Sequence, residues 1–499
     1  MGPEETDMKM VNEVYENKNG NRPERVLQFG SGNFLRGFVD WMIDKANNDG
    51  LFDGSIVICQ STSGNGRTRQ ALNEQNGTYT LVMRGGENGL PVEKADVITS
   101  VSRCISAVDD YDELLKLARS EDLQVVVSNT TEAGIVYREG DKPEDRPPVS
   151  FPAKVTRFLY ERYCHFNGAA DKGLLFLPVE LIDNNGGELK RIVLQYADEW
   201  ELGEDFKNWV LTANEIASTL VDRIVTGYPA DNISYFEEKL GYRDNALVTS
   251  ELFDLWVIEG DKKWADVLPI HKTDANVVWT DDVKPYKKRK VRILNGAHTS
   301  TVLLAWLAGM DIVRDFMKDE TFRTFMNKVI YDEVIPTLDL PREDLENFAA
   351  AVNDRFDNPY VDHQLLAISL NSCSKFNARC LPSLLDYQEQ NGKLPACMTL
   401  ALAGFIKFYQ GIMEDGKYIG VRLDGKKHEI VDDPAVIRLF SESWAQKAPA
   451  DVAQVVLSHK EFWGGKDLTE VPGLLEAVAD YLTRMEDSPV RELVEEVIR

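Results

Sequence analysis

Lys290, Asn295 and His298 stand in the run Lys290-Val-Arg-Ile-Leu-Asn-Gly-Ala-His298. A lysine, an amide five residues on and an imidazole three beyond supply a base, a hydrogen-bond donor and a second polar handle. That set suits taking a proton from a secondary alcohol while a hydride leaves its carbon. Free lysine titrates near about 10.4, so a base role requires burial or nearby cations to lower it. Lys284, Lys287, Lys288, Arg289 and Arg292 crowd Lys290 in the chain; taken alone, the same run reads as a solvated basic strip. As one helix, at about 100° per residue, the three side chains fall within roughly 140° of one face. An extended Lys290–Leu294 followed by a turn at Asn295-Gly296 brings them together as well. An oxygen gaining charge needs amide or cationic donors. Asn295 is one, and Asn185, in Glu180-Leu-Ile-Asp-Asn-Asn-Gly186, is the candidate for the other. No His, Cys and Asp cluster has ligand spacing, so no metal is expected.

A base of this kind needs a hydride acceptor, and residues 26–38 read as half of a dinucleotide site. The apolar run Arg25–Phe29 ends in Gly30-Ser31-Gly32 and passes into a helix-like stretch, Phe34 to Ala46. Glycines there allow a tight turn and close backbone approach to a pyrophosphate, and a helix N-terminus favours the negative charge. The third glycine of G-x-G-x-x-G is replaced by Leu35. Phe29, Gly30, Gly32, Asn33, Phe34 and Arg36 are the cofactor-binding candidates of this turn. Ser128-Asn129-Thr130-Thr131-Glu132 follows another buried strand, and Ser128, Asn129, Thr130 and Glu132 are candidates for ribose or nicotinamide. The second strand, Ser55–Cys59, is followed by Gln60, Ser61 and Thr62 rather than an acid, with Arg67 and Arg69 soon after. The residues therefore leave NAD and NADP open.

The elements that must position these groups alternate. Strand-like runs at Thr78–Met83, Val97–Ile105, Leu123–Ser128 and Gly173–Val179 are interleaved with helices at Asp112–Arg119, Ala153–Phe166 and from Gly187 to about Ala217. Such alternation predicts an α/β, Rossmann-type, doubly wound N-terminal domain. Beyond Pro285 apolar residues recur at helical spacing in Ser300–Met317, Thr321–Ile335, Arg342–Asn353, Gln364–Leu370, Ala396–Tyr409 and Pro472–Met485. Little there reads as strand, so a mostly α-helical C-terminal domain is expected. The expected division is a polar extension over 1–21, a dinucleotide-binding domain over 22–284 and a helical substrate domain over 285–499. A chain of 499 residues exceeds one ordinary core. Its formal net charge of −26 argues against nucleic acid and anionic membrane as partners. Six scattered cysteines suit reduced thiols, and the longest apolar stretch, Thr301–Met310, is short of the about 20 residues a span needs. A cytoplasmic protein is expected.

Together these runs resemble the polyol-specific long-chain dehydrogenases, the mannitol dehydrogenase family. The likeness is carried by a Gly-x-Gly-x-Phe-x-Arg turn at Gly30–Arg36 and a Lys-x4-Asn-x2-His run at Lys290, Asn295 and His298. Further stretches are Ser128–Gly134, Glu180–Asp183, Val221–Pro229 and Asn358–Tyr360, and the resemblance runs from about residue 22 almost to the C-terminus. It implies a Rossmann-type domain packed on a helical one, with the active site between them. It further implies metal-free, NAD-linked interconversion of a hexuronate and its aldonate. In that scheme Lys290 is the acid/base, Asn185 and Asn295 hold the developing oxyanion, and His298 orients the substrate oxygen. Asp222 and Lys375 carry over as substrate-site residues. Mannitol-oxidising relatives carry an arginine eight residues before the lysine at 375, where Ala367 stands here. A uronate carboxylate still requires a cation, and Arg379, Lys375 and His363 are the candidates. A rival of another class, a redox-inactive sensor of nucleotide and sugar acid, has no need for a lysine ringed by cations.

Overall fold

The computed structural model describes residues 8–61, 66–87, 89–130 and 133–499. Two compact units emerge: the residues up to Arg84 with Val92–Val283, and the segment Gly85–Pro91 with Lys284–Arg499.

The first unit is built on six parallel strands: β1 (Glu24–Phe29), β2 (Ser55–Gln60), β3 (Val101–Ser106), β4 (Val125–Ser128), β5 (Leu175–Pro178) and β6 (Glu215–Ile216). Their spatial order is β3-β2-β1-β4-β5-β6, with Gln28 of β1 level with Ile58 of β2 and Val127 of β4. Runs such as Ile56-Val-Ile-Cys59 and Val125-Val-Val127 are apolar at every position because both faces of the sheet are covered. Side chains alternate between the faces. Val26, Ile56, Ile58, Val125 and Val127 enter one core with Met42, Ile43 and Ala46 of the helix Val39–Asn48. Leu27, Phe29, Val57, Cys59 and Val126 enter the other, with Leu114, Phe158 and Ile192 from the helices Tyr111–Ala118, Phe151–His165 and Asn185–Glu199. Strand order reverses between β1 and β4, which opens a crevice at their carboxyl ends.

Two expectations change in this unit. The helix expected over Phe34–Ala46 is two pieces, Asn33–Arg36 and Val39–Asn48. They part at Gly37, where a Cβ would stand 3.0 Å from Val225 and 3.2 Å from Val248. The strand expected over Val97–Ile105 is also two, Leu90–Ile98 in a separate four-stranded sheet and β3 in the parallel one. The corner between them is pinned: Thr99 donates from both N and Oγ1 to Asp44, and Ser100 donates to the Asp40 carbonyl.

The second unit is helical, centred on Gly296–Leu307 and Ala396–Phe408, both buried nearly all round. It also holds a three-stranded antiparallel sheet, Gly411–Glu414, Lys417–Val421 and Lys427–Glu429, where the sequence pattern suggested little strand. Its first turn is Asp415-Gly416, with φ of 48° and 80° between the paired Glu414 and Lys417. Two positive φ values in a two-residue loop match the right-handed twist of a hairpin. Among the described residues no helix is long and apolar enough to cross a membrane.

Candidate active site

In the first unit a cavity of about 490 Å³ lies at the reversal of strand order. It is lined by Gly30, Ser31 and Gly32 after β1, Gln60 and Ser61 after β2, and Asn129 and Thr130 after β4. The strand ladder continues into these turns. Gly30 N donates to Cys59 O (2.9 Å) and Asn129 N to Phe29 O (3.0 Å). Gly30 has φ of 129°, and a Cβ on it would lie 3.1 Å from the Asn129 carbonyl; Gly32 opens onto space with nothing within 4 Å. One glycine is needed for the turn and the other clears an approach for a ligand, which is how such a crevice takes a pyrophosphate. The glycine turn and the open space before Gly32 fit the phosphate-bearing part of a dinucleotide.

The other candidates of this turn have different places. Phe29 is buried in the core beneath the cavity. Arg36 is buried too. It donates to the carbonyls of Ser31 (3.2 Å) and Ala246 (2.5 Å) and to Asn33 Oδ1 (2.7 Å), so it ties the turn from below. Burial lowers its pKa. Asn33 is its partner, and Phe34 stacks on Phe38 at 5.0 Å. Ser128 is buried, donating to Glu180, and Thr130 donates from N and Oγ1 to the same carboxylate at 3.0 and 2.9 Å. Glu132 lies outside the described residues. Burial raises the pKa of Glu180, against the opposing pull of these donors. Glu180 therefore shapes the cavity wall without lining it. Sequence reasoning missed Lys154 and Arg138, which line the cavity. The Lys154 ammonium is buried and donates to Val149 O at 2.6 Å. Its signal was Ser150, whose hydroxyl caps the helix that presents Lys154 on its first turn.

Asn185 begins a helix beside β5 but is 1% exposed. Its amide nitrogen meets the carbonyls of Pro178, Glu180 and Thr219 at 3.0, 3.0 and 3.2 Å. Its oxygen accepts from the N–H groups of Gly186 and Thr219, both at 2.9 Å. Every polar valence of this side chain is engaged with backbone. In this geometry it is a fastener, and an N–H for a substrate oxygen is released only by breaking one of those bonds. Asp222, also in the first unit, is buried at the end of the strand Ser218–Asp222, opposite Leu255.

In the second unit Lys290–Asn295 forms a π turn, which passes at Gly296 into the α-helix Gly296–Leu307. The i→i+5 bonding of a π turn adds a residue per turn. Lys290 and Asn295 are thereby drawn nearer one face than the roughly 140° of an ideal α-helix. Asn295 is partly exposed, and its side chain makes no hydrogen bond to another described residue. The crowd of cations around Lys290 is drawn off in several directions. Lys288 pairs with Asp339 (3.2 Å), Arg292 with Asp386 (3.3 Å) and Ser383, and Arg289 lies over the rings of Tyr286 and Phe348. His298 packs its ring 3.8 Å from Phe356 and 5.4 Å from His363. Burial, then His363, Arg355, Arg379 and Lys375, hold its imidazole well below its ordinary pKa. His298 is accordingly neutral at pH 7. Lys375 and Arg379 share the helix Ser372–Arg379, and His363 is exposed on the segment before Leu365–Ser369.

The chain matches two family models: the mannitol dehydrogenase Rossmann domain over residues 24–272 and the mannitol dehydrogenase C-terminal domain over 282–486. It is 48% identical over 478 residues to the altronate oxidoreductase of Escherichia coli (strain K12), covering 95% of this chain and 96% of that protein. The altronate oxidoreductase of Shigella flexneri is similar to the same extent. Among solved structures, a substrate-free D-sorbitol dehydrogenase superposes with a TM-score of 0.79 at 19% identity, covering 96% of each chain. The ternary complex of Pseudomonas fluorescens mannitol 2-dehydrogenase with NAD and D-mannitol gives 0.60 at 22% identity, covering 97% of this chain and 95% of that one. At such identities the two structures speak for the fold.

Proposed function

The chain belongs to the mannitol dehydrogenase family, and from that premise we propose that it is an NAD-dependent oxidoreductase interconverting D-altronate and D-tagaturonate. The observation that carries this reading is the near full-length likeness to altronate oxidoreductases. The two half-sites, a dinucleotide crevice and a lysine–asparagine–histidine turn, supply the chemistry that such a reaction requires.

When bound, the nicotinamide takes up or supplies hydride at the substrate carbon. The remaining work falls to side chains of the helical unit. In the reducing direction the keto oxygen gains charge, and Lys290 delivers the proton that makes it a hydroxyl. In the oxidising direction its amine takes that proton back. Asn295, whose amide has no partner to give up among the described residues, donates to the oxygen as charge develops. His298, held neutral, keeps one N–H and one lone pair to orient the same hydroxyl. Asn185 acts by holding the polypeptide rather than the substrate. NAD is favoured over NADP because Arg69, an arginine well placed in sequence to meet a 2′-phosphate, is engaged with Asp109 (3.1 Å) and Asp110 (3.2 Å).

Steady-state rates with NADH and NADPH in parallel, against tagaturonate, fructuronate and fructose, test the proposal. Tagaturonate with NADH should give the highest kcat/KM. A clear preference for fructose would end the sugar-acid reading, and a preference for fructuronate would reassign the stereochemistry.

A further inference from the structure

We propose that Arg379 seats the carboxylate of the substrate and is the residue by which the helical unit selects a sugar acid over a neutral polyol. This rests on the function proposed above and adds the group that recognises the acid.

The chain carries 82 carboxylate residues against 56 lysines and arginines, so a half-buried cation here readily finds a partner. Arg292 pairs with Asp386, Arg314 with Asp362, and Arg422 with Asp311 and Asp424. Arg379 does not follow them. It is half-buried at the end of the helix Ser372–Arg379, and among the described residues its guanidinium makes one hydrogen bond, from Nη1 to Thr299 Oγ1 at 3.3 Å. Lys375, four residues earlier and on the same helix face, donates to the Ile368 carbonyl at 2.8 Å. Next to them His298 keeps a buried Nδ1 with no hydrogen-bond partner among the described residues.

A guanidinium partly removed from water without an anion is held at a cost. Its planar fork of N–H groups matches the two oxygens of a carboxylate, a match that an ammonium lacks. Electrostatics agree: Arg379 is lowered in pKa by burial, and it and Lys375 both depress His298. The positive cluster is rigidly carried. A Cβ on Gly296 would stand 3.4 Å from the Arg379 carbonyl, and Cys380 Sγ lies 3.6 Å from the Gly296 carbonyl. The helix bearing Arg379 is thus clamped onto the one bearing His298, and Thr299, the next residue after His298, fixes the guanidinium. An acid group bound there lies beside the imidazole that orients the reacting hydroxyl. A neutral polyol brings only hydroxyls to the same place and leaves the cation uncompensated.

The test compares wild type, Arg379→Gln and Arg379→Lys with tagaturonate and with the neutral ketose fructose, as substrate or, where it is not turned over, as competitive inhibitor. Arg379→Gln should lower the preference for tagaturonate over fructose at least about 100-fold, mainly through KM, a scale usual for a desolvated charge pair. Arg379→Lys, which keeps the charge and stem but not the fork, should recover part of that preference; it carries the test should the glutamine variant not fold. An unchanged tagaturonate KM, or a proportional loss for both ligands, overturns the assignment. A wild-type enzyme inactive on tagaturonate would remove the functional reading itself. An active one whose preference survives both substitutions would remove the carboxylate seat alone.

Discussion

Asn185 offers a sharp separation of two roles, because a strut and an oxyanion donor fail in different ways when deleted. Replacing it by alanine removes the acceptor for the Thr219 and Gly186 N–H groups and the donor to the carbonyls of Pro178, Glu180 and Thr219. The site is buried and crowded: Asn185 is 1% exposed, and a Cβ on the neighbouring Gly186 would lie 2.3 Å from the Ala217 carbonyl. Each buried polar group left unpaired costs about 1–3 kcal/mol. Two N–H groups and the more confined carbonyls give roughly 3–5 kcal/mol for Asn185→Ala, since some carbonyls relax toward other donors. That is a large fraction of the about 5–15 kcal/mol that holds a typical domain together. Urea denaturation followed by tryptophan fluorescence should therefore show a much lower midpoint. Turnover, normalised to the folded fraction, should stay within about tenfold of wild type. Loss of an oxyanion donor instead costs about 10²–10³ in kcat with stability intact. An Asn185→Ala enzyme that denatures like wild type but turns over about 100-fold more slowly would refute the strut and restore the catalytic role.

Lys290→Ala should lower kcat at least about 100-fold while NADH affinity changes little, as measured by fluorescence titration; a small loss would place the base elsewhere. Glu180→Gln keeps one acceptor oxygen but turns an amide donor toward Ser128 or Thr130, so NADH affinity should weaken about tenfold; an unchanged Kd would mean that the cavity wall does not depend on it. His428 is buried, and burial with Arg422 nearby lowers its pKa to about 4. Above pH 6.5 both folded and unfolded chains hold it neutral and its contribution is complete; as pH falls from 6.5 toward 4 the unfolded chain protonates first and about 3 kcal/mol is lost. Asp40 and Glu333, raised by burial to about 7, run the other way, because their protonated forms favour the folded state as pH falls. The difference in denaturation midpoint between wild type and His428→Leu, read from pH 7.5 to 4.5, isolates the histidine; it should shift in favour of the variant on acidification, and a constant difference would exclude the effect.

The parallel sheet was legible because residues such as Val125-Val-Val127 and Ile56-Val-Ile58 face two cores at once, and a run without polar interruptions has few other homes. The glycine turn was legible for a related reason: only glycine accepts the geometry of Gly30. The ring of polar side chains behind the turn was not. Arg36 reads as a phosphate ligand one helical turn beyond the glycines, yet its guanidinium is claimed by the Ala246 carbonyl, 210 residues away in the chain. Lys154 reaches the cavity, and Glu180 braces its wall, from later parts of the chain, and no local pattern announces such an approach. The three-stranded sheet was a different omission. Asp415-Gly416 and Asp424-Gly425 are strong hairpin signals, and Lys417-Tyr-Ile-Gly-Val421 between them has the strand composition. They were outweighed by the helical periodicity on either side.

The π turn at Lys290–Asn295 is the least legible feature and the one on which the proposed chemistry depends most. Side-chain type does not separate α from π winding, since the difference lies in which carbonyl each N–H selects, and a single wide turn sacrifices hydrogen-bond quality for geometry. Such a turn persists only where surrounding packing over-determines it. Here Ile293 and Leu294 are buried in the helical unit while Lys290 and Asn295 remain partly exposed. The apolar pair anchors the inner side of the turn, and the polar pair is carried on the outer side at a spacing that an α-helix would splay. The second π turn, Val329–Val334, behaves alike: it buries Ile330 and Val334 and directs the Glu333 carboxylate to the N–H groups of Cys397 and Met398, both at 2.8 Å. In both places the irregular winding brings a polar side chain into position without moving the apolar ones out of the core. This unites the proposed base and amide donor, five residues apart, with a helix that is otherwise committed to packing.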